Sequence, residues 1–185
     1  MRLRPLPPML TEVVSTALQI CDGTEYFAQG TCGSCGGTLS GYDTRTKRFA
    51  TLCDEEGEHP VEVILHRAYC RSCGRVVVPE EPFYSGTRLG SPVVDLCLAL
   101  AGTMPCGRVA TRLGQMGVKV NRWSVSEYTK GIFPAVPTVA AFGMMIPISI
   151  ISLSSLATTL NTTGKVDSDD VLAACNHPSL IRQVP

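Results

Sequence analysis

Four cysteines in two like settings carry the clearest chemistry in this chain: Cys32 and Cys35 in TCGSCGG, and Cys70 and Cys73 in YCRSCGR. Each pair has two residues between its cysteines and a glycine directly after, Gly36 and Gly74. Such a turn sets two thiolates on one side of an ion, and the glycine lets the chain reverse so that backbone N–H groups face the sulfurs. Zinc takes four ligands in a tetrahedron and accepts thiolates, so the two pairs together make one four-cysteine site for Zn2+. Four protein ligands leave no open coordination position, and the expected role of the ion is structural. A redox pair is the first alternative, but it belongs between a strand and a helix. Four packing cysteines are the second, and the adjacent glycines disfavour it. Cys53, His59 and His66 lie between the pairs and are of ligand type. The simpler reading sets Cys53 against a strand neighbour and His59 in an exposed acidic turn. Cys97, Cys106 and Cys175 fall in helical patterns and read as packing residues.

The 34 residues between the pairs must bring them together. They hold two strand-like runs, KRFATLC (47–53) and VEVILHRAYC (61–70), joined by the acidic turn DEEGEHP. RVVV (75–78) predicts a third short strand, and PEEPF (79–83) a linker. Upstream, residues 1–8 form a Pro-rich arm. Thr11 is placed to cap a helix over 12–21 whose apolar face is Val13, Val14, Ala17, Leu18 and Cys21. From Ser91 the pattern turns helical. Ser91-Pro92 reads as an N-cap with proline at the first position, and Gly102 as a stop. Two further helices fit 106–115 and 122–130.

The second and third of these helices suggest a helix-turn-helix. Val109, Ala110 and Leu113 form one inner face, and Val125 and Tyr128 the other. Gly117 permits the turn, while Val118 and Val120 fill the core. Six basic residues between Arg88 and Lys130 face two acidic ones, Asp95 and Glu127, a local excess of four positive charges on a chain of zero net charge. A recognition helix places its N-terminal residues near base edges, with its dipole toward phosphate. Arg122, Ser124, Glu127 and Lys130 are therefore the candidate groove-facing residues. Arg108 and Arg112 are expected at backbone phosphates, and Lys119 belongs to the same basic set. The competing reading is a plain three-helix packing unit with a solvated basic face.

From about Cys32 to Ile132 the chain resembles the N-terminal region of bacterial and archaeal insertion-sequence transposases, in which a zinc ribbon precedes a helix-turn-helix. The matching pieces are HRAYCRSCGR, FYSGTRLGSPVVDLCLAL and RVATRLGQMGVKVNRWSVSEY. The resemblance implies double-stranded DNA as partner. It also implies a catalytic domain with three separated carboxylates holding two metal ions. Only 55 residues follow Lys130, and their three carboxylates, Asp167, Asp169 and Asp170, crowd into one tetrapeptide that reads as the acidic start of a helix. The expectation is a DNA-binding portion that is not an enzyme.

The fold class expected is α+β: an arm and helix (1–29), a small β zinc ribbon (30–79), a three-helix helix-turn-helix unit (88–132) and an apolar C-terminal extension (133–185). No charged residue occurs between Lys130 and Lys165. Thr138 to Leu160 is long and apolar enough to span a bilayer. Against a span stand Pro147, Gly143 and six hydroxyl residues, with no flanking basic cluster. A strand-like piece to Met145 and a helix from Pro147 also fits and is the preferred reading. Ile148, Ile151, Leu153 and Leu156 would then meet other helices or a second protomer. A membrane-anchored or protein-interaction module without DNA binding is the alternative class. Zero net charge does not indicate wholesale attraction to nucleic acid or anionic lipid, although an average can hide local patches. Nine cysteines, an odd count, and an N-terminus without a long apolar stretch point to a reducing, cytoplasmic setting.

Overall fold

The computed structural model describes residues 5–160 and 166–175. It is a mixed α and β structure with six helices and two sheets among those residues. Helix α1 (Pro8–Gln19) leads into strand β1 (Glu25–Phe27). A long hairpin follows, β2 (Leu39–Asp54) and β3 (Gly57–Cys70), paired antiparallel with irregularities at Gly41/Asp43 and Arg48/Ala50. β1 lies parallel to β3 on its other side, and the short β4 (Val76–Val77) pairs with the end of β3. Helices α2 (Ser91–Ala101), α3 (Cys106–Gln115) and α4 (Arg122–Lys130) come next. A two-stranded hairpin, β5 (Thr138–Ala141) and β6 (Met144–Pro147), precedes helices α5 (Ile148–Leu160) and α6 (Ser168–Ala174).

Local chemistry explains several ends. α4 is capped by Asn121, whose side-chain oxygen accepts the Ser124 N–H at 2.7 Å. α6 is capped by Asp167, which accepts from the Asp169 N–H, and Asp169 and Asp170 occupy its first turn. Two expected caps are corrected. α1 begins a turn earlier than Thr11, with Pro8 at its first position, and the Thr11 hydroxyl instead donates to the Gln115 carbonyl at the end of α3. Gly90, not Ser91, is the N-cap of α2, and Ser91 is buried as the first helical residue.

The hairpin is half in and half out of the core. Phe49, Ala50, Leu52, Val61, Val63 and Leu65 are buried against the helices. Residues 41–46 of β2 are all exposed, so the end of the hairpin that carries the cysteines projects from the core. The linker is pinned. Phe83 meets Phe49 edge-on at 5.9 Å between centroids, and Lys47 bridges Glu81 at 2.5 Å. Phe49 also explains the glycine at 90. A Cβ there would lie 2.3 Å from its ring, and the Gly90 N–H donates to the Phe49 carbonyl.

The neutral stretch divides at Pro147 into the β5–β6 hairpin and α5, as its strand-then-helix reading expects. No helix among the described residues is long and apolar enough to cross a membrane. Ile146, Ile150 and Leu153 are fully buried, and α5 packs mainly on α1. Each such side chain contributes about 1.5–3 kcal/mol by leaving water. Of the residues expected to meet other helices or a second protomer, Leu153 is fully buried, Ile151 and Leu156 are half-buried, and Ile148 is exposed.

Candidate metal centre and basic helical face

The two cysteine turns have the same backbone form. In the first, the Cys35 and Gly36 N–H groups both donate to the Cys32 carbonyl, and the Cys32 N–H donates to Gly37. In the second, the Gly74 N–H donates to the Cys70 carbonyl, and the Cys70 N–H donates to Arg75. Gly36 and Gly74 sit at φ of 70° and 74°, a conformation that only glycine adopts without strain. Pairing of β2 with β3 matches Leu39 to Cys70, which brings the second turn beside the first. Arg75 Nη1 donates to Ser34 Oγ at 2.9 Å, tying one turn to the other. Gly37 allows the close approach, because a Cβ there would sit 2.4 Å from Ser72 Oγ.

The four sulfurs converge. Cys32 Sγ lies 3.7 Å from Cys73 Sγ, Cys35 Sγ lies 3.5 Å from Cys70 Sγ, and all four fall within 4.8 Å of one another. A tetrahedral ion with sulfurs at about 2.3 Å sets them about 3.8 Å apart. The spacing therefore suits a single metal ion, and it is far beyond the roughly 2.05 Å of a disulfide. All four are free cysteines. The backbone N–H of Ser34 lowers the Cys32 thiol, and that of Cys73, then Ser72, brings Cys70 down to about 6. At Cys35 the Gly37 N–H acts the same way, but the neighbouring thiols of Cys70 and Cys73 outweigh it and push the group up to about 12. Charge on one sulfur raises the cost of charge on the next, and a divalent cation in their midst removes that conflict.

Cys53, His59 and His66 stand apart from this cluster. His59 Nε2 pairs with Asp54 at 2.9 Å in the exposed turn. His66 stacks on Phe27 at 4.2 Å, with Glu25 and Thr44 at its two nitrogens. Cys97 and Cys175 are buried, which fits packing, while Cys106 is half-buried beside Thr129.

The helical face is sharper than the sequence pattern. Val109, Leu113, Val118 and Val125 are fully buried, and Val120 and Tyr128 nearly so. Gly117 turns the chain at φ of 77°. That turn docks on the far end of the long hairpin: the Cys53 N–H donates to Gly117 and the Lys119 N–H to Thr51, both at 2.8 Å. The cysteine cluster thus lies about 40 Å away along β2, at about 3.3 Å per residue.

Of the seven residues expected at DNA, Arg108 and Arg122 are exposed. Arg122 lies against the start of α3, since a Cβ on Gly107, the residue before Arg108, would lie 3.8 Å from Arg122 Cδ. Lys130 and Glu127 are exposed and paired with each other at 3.3 Å. Lys119 is exposed but engages Glu58. Ser124 is half-buried, and its N–H is taken by the Asn121 cap. Arg112 requires correction. It is 7 % exposed, donates from Nη1 to Gln115 at 3.0 Å, and lines a cavity with Met104, Phe142 and Met144. The β5–β6 hairpin shares that cavity, so Arg112 is not placed for phosphate. Asp95 is likewise not a surface charge, being buried between the hydroxyls of Tyr84 and Ser149. Trp123, on the same helix as Arg122 and without a signal in the sequence, is 70 % exposed. Compared with protein-family models, curated proteins and solved structures, the chain matches none.

Proposed function

We propose that this chain holds one zinc ion through Cys32, Cys35, Cys70 and Cys73 and binds double-stranded DNA through the outer face of α3 and α4, without cutting it. In this reading residues 30–79 are a zinc ribbon and 88–132 a helix-turn-helix, related to the non-catalytic N-terminal part of an insertion-sequence transposase. The observation that carries the metal is the convergence of four sulfurs within 4.8 Å from turns 34 residues apart. What supports DNA is a short capped helix that exposes Arg122 against the start of α3, where Arg108 is also exposed, while burying Val125 and Tyr128. The use of Asp167 as a helix cap favours a structural role for the acidic tetrapeptide. The ion organises the projecting end of the hairpin and leaves no open position for a substrate. Phosphate contacts from the basic side chains supply affinity that falls with salt.

Metal analysis of protein purified under reducing conditions should give one zinc per chain. Duplex DNA titrated against the wild type and against Arg108→Glu with Arg122→Glu tests the second half. Affinity unchanged by the double reversal would exclude this face as the DNA site.

A further inference from the structure

The outer face of α4 carries an apolar anchor at the head of its polar stripe. Trp123 is the second residue of the helix and is 70 % exposed. It is also the only tryptophan in the chain. Residues 123, 127 and 130 recur at helical spacing, so Trp123, Glu127 and Lys130 share one stripe, opposite the buried Val125 and Tyr128. The Arg122 guanidinium sits 5.3 Å from the indole centroid, which holds a cation against the ring. A large aromatic side chain left in water beside a cation matches the residue types that dominate interface energetics. The charge around it selects the partner. Arg122 is exposed beside the indole, Arg108 is exposed in the first turn of α3, which Arg122 approaches at Gly107, and the one carboxylate on the stripe, Glu127, is already paired with Lys130.

We propose that Trp123 is a base-contacting anchor for duplex DNA, entering the major groove at the N-terminus of α4 while Arg122 and Arg108 reach the flanking phosphates. This deepens the DNA reading and rests on it. The indole offers an apolar face for a thymine methyl and one N–H donor for a base acceptor. Arg122, held over the ring, aligns the aromatic contact with the phosphate contact.

The lone tryptophan makes the test direct. A labelled mixed-sequence duplex is titrated with the full chain, read at once by anisotropy of the DNA and by tryptophan emission of the protein. Both signals should saturate together, with the emission quenched, and both should be lost together in high salt. Trp123→Ala should weaken binding about tenfold with an unchanged melting temperature, and Trp123→Phe should recover most of that loss. Binding by anisotropy with unmoved emission would overturn the anchor and leave the DNA reading standing. No anisotropy change at any salt would overturn the DNA reading itself. Emission that shifts with protein concentration, before any DNA is added, would assign the indole to a second copy of the chain and overturn the proposal.

Discussion

Replacing Asp95 by alanine should destabilise the fold by about 2–4 kcal/mol. The carboxylate is 3 % exposed. Its Oδ1 accepts the Tyr84 hydroxyl at 2.6 Å and its Oδ2 accepts the Ser149 hydroxyl at 2.7 Å, so one side chain of α2 ties the preceding loop to α5. Alanine removes both acceptors. The stranded Ser149 hydroxyl, 3 % exposed, costs about 1–3 kcal/mol, and the half-buried Tyr84 about 1 kcal/mol. For a chain of this size the melting temperature should fall roughly 5–15 °C. Asparagine should behave differently, because it keeps an acceptor, adds a donor that either hydroxyl can receive, and has no charge to bury. Burial raises the Asp95 pKa above its ordinary 3.8, and the bonds from Tyr84 and Ser149 oppose that only in part. The folded chain thus keeps this proton to a higher pH than the unfolded chain. Ionised Asp95 is a penalty above the folded pKa, and the penalty vanishes as pH falls toward the unfolded value. Urea unfolding at neutral and at mildly acidic pH measures it. Asp95→Asn should compare best with wild type at neutral pH, and its relative standing should decline on acidification. An alanine variant within about 0.5 kcal/mol of wild type, or an asparagine variant as damaging as alanine at every pH, would refute this account.

Other outcomes follow from the same structure. Gly90→Ala should cost about 1–3 kcal/mol by driving a methyl into the buried Phe49 ring. Gly114→Ala, on α3 with open space around it, should stabilise by up to about 1 kcal/mol. A chelator should speed amide exchange in residues 32–38 and 70–75 while the Val61–Leu65 amides stay protected, because only the latter stretch joins the hydrophobic core. Equal deprotection of both would show that the metal site supports the whole fold. In DNA titrations the salt slope should be about −3 if Arg108, Arg122 and Lys130 each meet a phosphate. Arg122→Gln should reduce its magnitude by about one. Arg112→Gln should lower stability and leave the slope alone, and the reverse pattern would place Arg112 on the surface.

Much of the site was legible because its signals are local. Two like turns with glycine after the second cysteine specify their own backbone, and a hairpin between them is the shortest way to bring them together. The extents of α2, α3 and α4 followed from periodicity, from Ser91-Pro92 and Gly102, and from the turn at Gly117, with the cap of α2 one residue earlier than read. What sequence spacing could not tell was the fate of individual charges. Arg108 and Arg112 are four residues apart on one helix and read as one basic face. Only the first remains in water, because a hairpin from farther along the chain shares the cavity around the second. Lys119 read as a free cation until pairing of the hairpin set Glu58 beside it. Trp123 gave no signal in the sequence, since one large side chain at the start of a short helix has no period to reveal which way it faces.

The sequence by itself determined the chemistry on offer: four thiols in two matched turns, a cluster of cations on and around two short helices, and a neutral stretch broken by Pro147. These are properties of residue type and near spacing, which act over a few bonds and need no partner. Tertiary structure alone decided which of those groups meet and which stay in water. It set the cysteine cluster at the projecting end of the hairpin and the α3–α4 turn at the other. It drew Arg112 and Asp95 inward and left Arg108, Arg122 and Trp123 outside. The physical reason is that burial depends on what packs opposite, and here the packing elements come from segments far apart in the chain.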